Sequence, residues 1–583
     1  MSKIVKKMKI MQPGGTLSDY VPIGAEAENI NVDGESVETK LGKKPYYYDT
    51  VADMKADTKL KAGDMAVTLG YYSVNDGGRA EYKIISSSNN YYETLNNNLK
   101  AELIIKDYVV PEQFGAYGDG THDDYNALQN ALDNCKIVTL LNKTYKTSGY
   151  IKLNNNNTLQ GTSKLSTLYN VSNNPCIRAL SKEKLTIKNL TVTDKQDHTT
   201  SNNGIYISGE NLIVDDVIVD SVGGDGIALG TSKHVKITNS KILNSGLIAI
   251  LAFEGDDVLY ENLYIKGAGH KYTCQFKSCI NSTMNNIIIE EGTEISVLAS
   301  TQSISENPNP IETKNITLTN IIIKDHGKTW TPEDQNRIAL FVMGDNNYID
   351  NIKIIDSYTG AGKIATSNSI IKNILVNGYG LNGINTYGIF FSEGSNNIID
   401  NINIRNGNYN GFRGALTKSN YSNIYIKDCT GTSTGQLMSG DSNSIYNNII
   451  LERTENNTRG LLFSDGNHYA SNSIYKNIKI IKPVENIEYD IGGGNNSIPN
   501  SLYVEVLDSV NANNGRGKFK YPFIANKGQM TIFDVSSSTG FTPTEGDVLV
   551  WNINTKGTRG YDRAYYDGTN WIDIIPIDNS SSI

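Results

Sequence analysis

From about residue 185 to residue 480, apolar and polar positions alternate in short runs broken by an asparagine or a glycine-containing loop. Period two belongs to strands, whose successive side chains face opposite ways; a helix would repeat near 3.6. The runs read KNLTV, DDVIV, TNSKI, ENLYI, NNIII, TNIII, DNIKI, KNILV, DNINI, SNIYI, NNIIL and KNIKI. Their marking residues are Asn189, Asp216, Asn239, Asn262, Asn286, Asn320, Asn351, Asn373, Asn401, Asn423, Asn448 and Asn477. Successive marks lie 22 to 34 residues apart, about 26 on average. Leucine-rich repeats have a similar period, but their fixed leucine pattern is missing. The spacing predicts an all-β fold, a right-handed parallel β-helix with three short strands per coil and one core shared by stacked coils. Asparagine suits a tight corner because it tolerates left-handed backbone angles. Its amide can also bond to the same amide one coil above. Eleven steps of about 4.8 Å predict a rod of about 50 Å.

Other segments flank this rod. Residues 1–45 are mixed and polar and suggest an adaptor or attachment segment. Residues 46–108 suggest a small β module turning at Asn75-Asp76-Gly77-Gly78. The β-helix is expected over 109–499, with an amphipathic helix at 123–134 that places Leu128, Ala131 and Leu132 on one face behind Asp123 as cap. Residues 500–583 suggest a compact β domain for trimerisation or carbohydrate binding. Within it, 562–574 reads as a hairpin with Trp571 buried.

Lys+Arg is 53 and Asp+Glu is 62, a net charge of −9. Neither nucleic acid nor an anionic membrane is an expected partner, because each calls for a basic face. Five scattered cysteines predict no disulfide framework, and Cys274/Cys279 lacks the second pair that a zinc site would need. None of the six histidines has the spacing of a metal site, so neither metal nor cofactor is expected. The start of the chain has no apolar core of a signal peptide, so export by another route is expected.

The stretch PEQFGAYGDGTHDDYNALQNALDN at 111–134 resembles the opening segment of the pectate-lyase-like β-helix superfamily, whose "FGA-GDG-DD" motif precedes a helix capping the first coil. Thr144-Tyr145 and Leu159-Gln160-Gly161 match its following "TY" strand and "L-G" turn. Residues 47–84 also resemble a module found upstream of this segment in phage tail proteins. The resemblance implies a phage or prophage tail spike or fibre, assembled as a homotrimer and located in the virion tail. It also implies a bacterial cell-surface polysaccharide as ligand and other virion tail or baseplate proteins as partners through the N-terminus. Asp119, Asp123 and Asp124 are expected to serve local turns and the helix start, and His122 to have no catalytic role.

Equivalent side chains on successive coils stand roughly 4.8 Å apart. Glycoside hydrolysis calls for two carboxyl groups about 5 Å or about 6.5–9.5 Å apart, distances that neighbouring coils can supply. Alignment of the repeat puts Asp225, Glu294, Arg337 and Arg413 just before the second strand of their coils, with Glu254 and Asp256 just after it one coil beyond Asp225. Asp225, Glu254 and Glu294 are the candidate catalytic carboxylates. Asp256, His270, Lys271, Trp330, Arg337 and Arg413 are candidates for binding substrate. The longest coils carry insertions at 301–314 and 325–337, and loops inserted into a solenoid often form its binding face. Trp330, in the second insertion, could stack on a sugar or pack its loop onto the rod. The order Asp225 in GGDGI, Asp256-Asp257, then Gly269-His270 is a weak echo of polygalacturonases, but their "NTD", "GHG" and "RIK" signatures are missing. A lyase would use Arg337, Lys271 or Arg413 to neutralise a substrate carboxylate and ranks below hydrolysis. The rival from another class is a tail protein that grips the same glycan without cleaving it.

Overall fold

The computed structural model describes residues 45–195, 202–269, 272–303, 305, 308–328, 337–383, 386–414, 416–430, 436–439 and 443–452, together with the backbone of further strands named below. The chain divides into two units, 1–141 and 142–583.

In the first unit a five-stranded sheet runs in the order Tyr46–Tyr48, Met65–Thr68, Ala80–Ile85, Lys100–Leu103 and Tyr92–Thr94. Only its first pair is parallel. Alternation buries Ala66, Tyr82, Ile84 and Ala101 completely on one face. The expected turn is built around Asp76, whose carboxylate accepts the N–H groups of Tyr71, Tyr72, Ser73 and Gly78. A helix not expected from the sequence, Val51–Ala56, is closed by a reciprocal cap between Thr50 and Asp53. Six residues are too few to show periodicity, but the T-x-x-D spacing is the signature of such a cap. Ahead of the sheet, Lys7–Met11 pairs antiparallel with Leu17–Pro22, and Asn31–Val32 with Glu35–Ser36.

The second helix, Tyr125–Asn134, buries Leu128, Ala131 and Leu132 as expected but starts two residues late. Asp123 accepts the Tyr125 N–H, while Asp124 reaches backwards to the N–H groups of Tyr117 and Gly118. Asp119 accepts from the N–H groups of Thr121 and His122 and pairs with His122 Nδ1 at 2.7 Å. All three aspartates are occupied by local structure.

In the second unit the strands from Thr144–Thr147 to Leu502–Asp508 form one parallel ladder, each pairing with its counterpart a coil further on. The all-β parallel solenoid predicted by the period is therefore the fold of this unit, and its ladder runs past residue 499 to Asp508. Leu159-Gln160-Gly161 falls inside the strand Thr158–Gly161, not in a turn. The core is stacked in columns. Ile287, Ile321, Ile352, Ile374, Ile402, Ile424 and Ile449 are successive register partners, each at most 1% exposed. Burying each such side chain contributes about 1.5–3 kcal/mol.

The marking residues Asn189, Asp216, Asn239, Asn262, Asn286, Asn320, Asn351, Asn373, Asn401, Asn423 and Asn448 all adopt left-handed angles, with φ between 52° and 55°. They bend what would otherwise be single long strands, such as Thr283–Glu290 at Asn286. The expected amide ladder forms, with interruptions. Asn262, Asn286, Asn351, Asn401 and Asn448 donate to the equivalent asparagine one coil back, at 2.6–2.9 Å. Asn239, Asn320, Asn373 and Asn423 instead donate to the residue preceding that position, namely Asp215, Asn285, Asp350 and Asp400. Two further corner columns are also left-handed. One runs through His234, Asp257, Asn281, Asn315, Asn346, Asn368 and Asn396, the other through Asn244, Glu291, Asp325, Asp356, Asn406 and Asp428.

Near the C-terminus Val548–Asn552, Tyr561–Tyr566 and Trp571–Ile574 form an antiparallel sheet, the last two as the expected hairpin. The side chain of Trp571, like that of Asn477, lies outside the described residues.

Candidate active site

The strand that opens each second half-coil builds one lateral face of the rod. Ile227, Ile250, Cys274, Val297, Leu340, Gly362, Ile389 and Phe412 form its register column. The candidate residues are distributed along this strand, and the structure separates some that the repeat alignment grouped.

Asp225 precedes Ile227 by two residues, in the turn before Ile227–Thr238. Asn203, its counterpart one coil back, accepts the Asp225 N–H at 3.0 Å, and Asp225 Oδ1 accepts the Ile248 N–H at 3.1 Å. The two bonds form a staircase, each side chain holding the backbone of the coil above. The flanking glycines are sterically required here. A Cβ on Gly224 would lie 2.5 Å from Asn203 Oδ1, and one on Gly226 would lie 2.5 Å from the Ala249 carbonyl oxygen. The GGDGI motif is thus explained by packing. Burial nevertheless pushes the Asp225 carboxyl up to about 6, against the Ile248 N–H, which favours the charged form. A carboxylic acid that titrates there can donate a proton near neutrality.

Glu254 and Asp256 do not join Asp225. Glu254 sits at a left-handed position (φ 51°) beyond Ile250–Phe253, where its Oε2 accepts from Thr231 Oγ1 at 3.0 Å. Six residues of strand separate it from the level of Asp225, about 20 Å. That is far outside the range for a carboxylate pair. Asp256 precedes the corner residue Asp257 and accepts from the Asn281 amide at 2.9 Å. Beside it, Asp257 pairs with His234 Nδ1 at 2.7 Å. Repeat alignment already put Asp225 before the strand and these two after it; the expectation of one shared cluster fails because the strand's length sets its two ends about 20 Å apart.

Glu294 and Arg337 do come together. They precede Val297 and Leu340 by three residues, on adjacent rungs, with Glu294 Oε1 4.0 Å from Arg337 Nη2. The Ile338 N–H also donates to the Glu294 carbonyl at 3.0 Å. Glu294 lies three rungs above Asp225, about 14 Å along the axis. Asp225 leans towards the next rung, where it accepts the Ile248 N–H, which shortens that separation by part of a rung.

Arg413 lies three rungs beyond Arg337, in the column that faces outward between the buried positions. Its members there are Phe341, Lys363, Phe390 and Arg413, one per rung. Lys363 Nζ stands 5.3 Å and 5.9 Å from the ring centroids of Phe341 and Phe390. Arg413 Cζ stands 4.8 Å from Phe390 and 5.3 Å from Tyr387, and its Nη1 donates to Tyr387 Oη at 2.6 Å. Sequence alternation alone could not find this column, because its members are separated by 22 to 27 residues and no one residue type recurs from rung to rung.

His326, also missed, is fully buried and bonds through Nδ1 to Ser296 Oγ at 2.8 Å. Burial, with the Arg337 charge nearby, pushes it down to about 3, so it stays neutral in ordinary conditions. It ties the start of the 325–337 insertion to the strand that follows Glu294. His270, Lys271 and Trp330 lie outside the described residues.

Residues 109–315 match the family model described as rhamnogalacturonase A/epimerase, pectate lyase-like. A curated relative, "Depolymerase, capsule K30/K69-specific" of Klebsiella phage K64-1, is 53% identical over 47 residues, which are 8% of this chain and 6% of that protein. Among solved structures, tailspike protein 3 of bacteriophage CBA120 is 12% identical with a TM-score of 0.46, covering 81% of this chain and 70% of that one. The A-module of Azotobacter vinelandii mannuronan C-5 epimerase AlgE6 is 14% identical with a TM-score of 0.37, covering 73% of this chain and all of that one. The parallel coils, their left-handed corners and the match at 109–315 together make that stretch a pectate-lyase-like β-helix domain.

Proposed function

We propose that this chain is the tail spike or tail fibre of a phage or prophage, and that it binds and depolymerises a bacterial surface polysaccharide such as capsule, exopolysaccharide or wall teichoic acid. The observation that carries this reading is the lateral face itself. One strand column presents a protonatable carboxyl at Asp225, a carboxylate–guanidinium pair at Glu294 and Arg337, and a run of ring faces from Phe341 to Phe390. Such a face suits a polymer lying along the rod, since aromatic rings stack on the apolar faces of sugars. The short match to a capsule-specific depolymerase supports the same class of substrate.

Hydrolysis is the reaction favoured. Asp225 donates its proton to the departing glycosidic oxygen, and Glu294, oriented by Arg337, takes a proton from the attacking water. Their backbones stand three rungs apart, about 14 Å, so the two side chains must reach towards each other, and the wider, inverting spacing is the one expected. Elimination has a specific observation behind it as well: Arg337 beside Glu294 could neutralise a uronate while Glu294 abstracts the neighbouring proton. Homotrimeric assembly and attachment to the tail or baseplate through the N-terminus complete the proposal.

The test is incubation with purified bacterial capsular polysaccharides and wall teichoic acids, following new reducing ends and ultraviolet-absorbing unsaturated ends. Reducing ends without unsaturation are expected, with Asp225→Asn and Glu294→Gln each slowing release about 10²–10⁴-fold. Unsaturated ends would establish elimination instead. Tight binding with no new ends from any polymer would leave the non-cleaving tail protein as the correct reading.

A further inference from the structure

The outward column above Arg337 bears on which polysaccharide is bound. We propose that Phe341, Lys363, Phe390 and Arg413 select an anionic polysaccharide, whether its charge is a uronate carboxylate or a backbone phosphate. This rests on the reading that a glycan lies along the rod.

Two observations lead there. First, ring and cation alternate strictly, one per rung, over three steps of about 4.8 Å. A polymer with apolar ring faces and regularly placed anions matches that alternation, whereas a neutral glucan would offer Lys363 no opposite charge. Second, the cations are held against ring faces. Lys363 stands over both Phe341 and Phe390, and among the described residues no carboxylate pairs with it. Clamping a lysine between two rings limits its rotamers and strips part of its hydration, so an arriving anion meets a fixed charge. The Tyr387 hydroxyl similarly fixes the Arg413 guanidinium. In a chain of net charge −9, this cationic run is a local reversal of sign. It is too short and too interleaved with rings to serve a nucleic acid, which rewards extended basic surface.

The experiment immobilises four polymers: a uronate-containing capsular polysaccharide, the same polymer after chemical reduction of its carboxyl groups, wall teichoic acid, and neutral dextran. Wild-type protein, Lys363→Gln and Lys363→Arg are compared, with the oligomeric state of each measured by light scattering. Binding is expected on the native uronate polymer or on teichoic acid, and which of the two identifies the source of the charge. Carboxyl reduction of a bound uronate polymer, or Lys363→Gln, should weaken binding about tenfold, while Lys363→Arg keeps most of it. The proposal is overturned by equal binding to reduced and native polymer, by dextran binding as well as either charged polymer, by an unaffected Lys363→Gln, or by failure to bind any of the four. A change in oligomeric state in Lys363→Gln would also overturn it, since the column would then be a contact between copies of this chain. Cleavage of charged and neutral polymers alike defeats this inference but not depolymerisation. Charge-dependent binding without cleavage does the reverse.

Discussion

Asp225 shows how one side chain can be held by the fold and still be available for chemistry. Its Oδ1 accepts the backbone N–H of the coil above, and burial lifts its pKa to about 6. As the proposed general acid it would have to be protonated, so kcat/KM should fall about tenfold per pH unit above about 6. The Asp225→Asn variant, already slow, should lose that limb of the profile. An unchanged alkaline limb in the variant would remove Asp225 from the proton-donating role. The sequence made Asp225 conspicuous through its flanking glycines, although those are explained by close backbone approach. It put Asp225 before the strand and Glu254 and Asp256 after it, yet grouped them, because the letters do not show that the strand between holds its two ends about 20 Å apart. Lys363 and Phe390 were invisible for a related reason: they join the site only through a register that spans whole coils.

Among the elements, the corner is the unit that the sequence described best. Every marking residue from Asn189 to Asn448 is left-handed, because asparagine bears that conformation more cheaply than a branched side chain does. Two of the three corner columns escaped notice. Their positions are filled by Asp, Glu, His and Asn in turn, so no single letter recurs at a fixed interval. Asn262 offers a direct test, as it donates to Asn239 and accepts from Asn286. Asn262→Ala should destabilise by about 2–5 kcal/mol, from about 1–2 for the left-handed backbone and about 0.5–1.5 for each of the two lost bonds. Asn262→Gly keeps the backbone freedom and should lose only the bonds. Urea unfolding of the two variants separates these contributions. Equal loss in both would mean that the corner angle carries no cost.

For the whole molecule, the period of about 26 residues and the alternation within it were enough to predict a parallel solenoid, since stacking coils is how such repeats bury their apolar face. The ladder from Thr144 to Asp508 bears this out. The helix start was misjudged by two residues because Asp123 and Asp124 compete for the same turn, and the backbone gave each a different partner. The proposed binding along the lateral face of the coils predicts that ligand contacts spread over many rungs, so that a single substitution outside the carboxylates weakens binding without abolishing it. The most direct measurement is an experimental structure of the protein bound to oligosaccharides from a polymer it recognises. Sugar rings ranged along the lateral column, with their faces on Phe341 and Phe390 and the cut end between Asp225 and Glu294, are the predicted result. Sugar bound only at the antiparallel sheet of residues 548–574, with that column bare, would contradict the account.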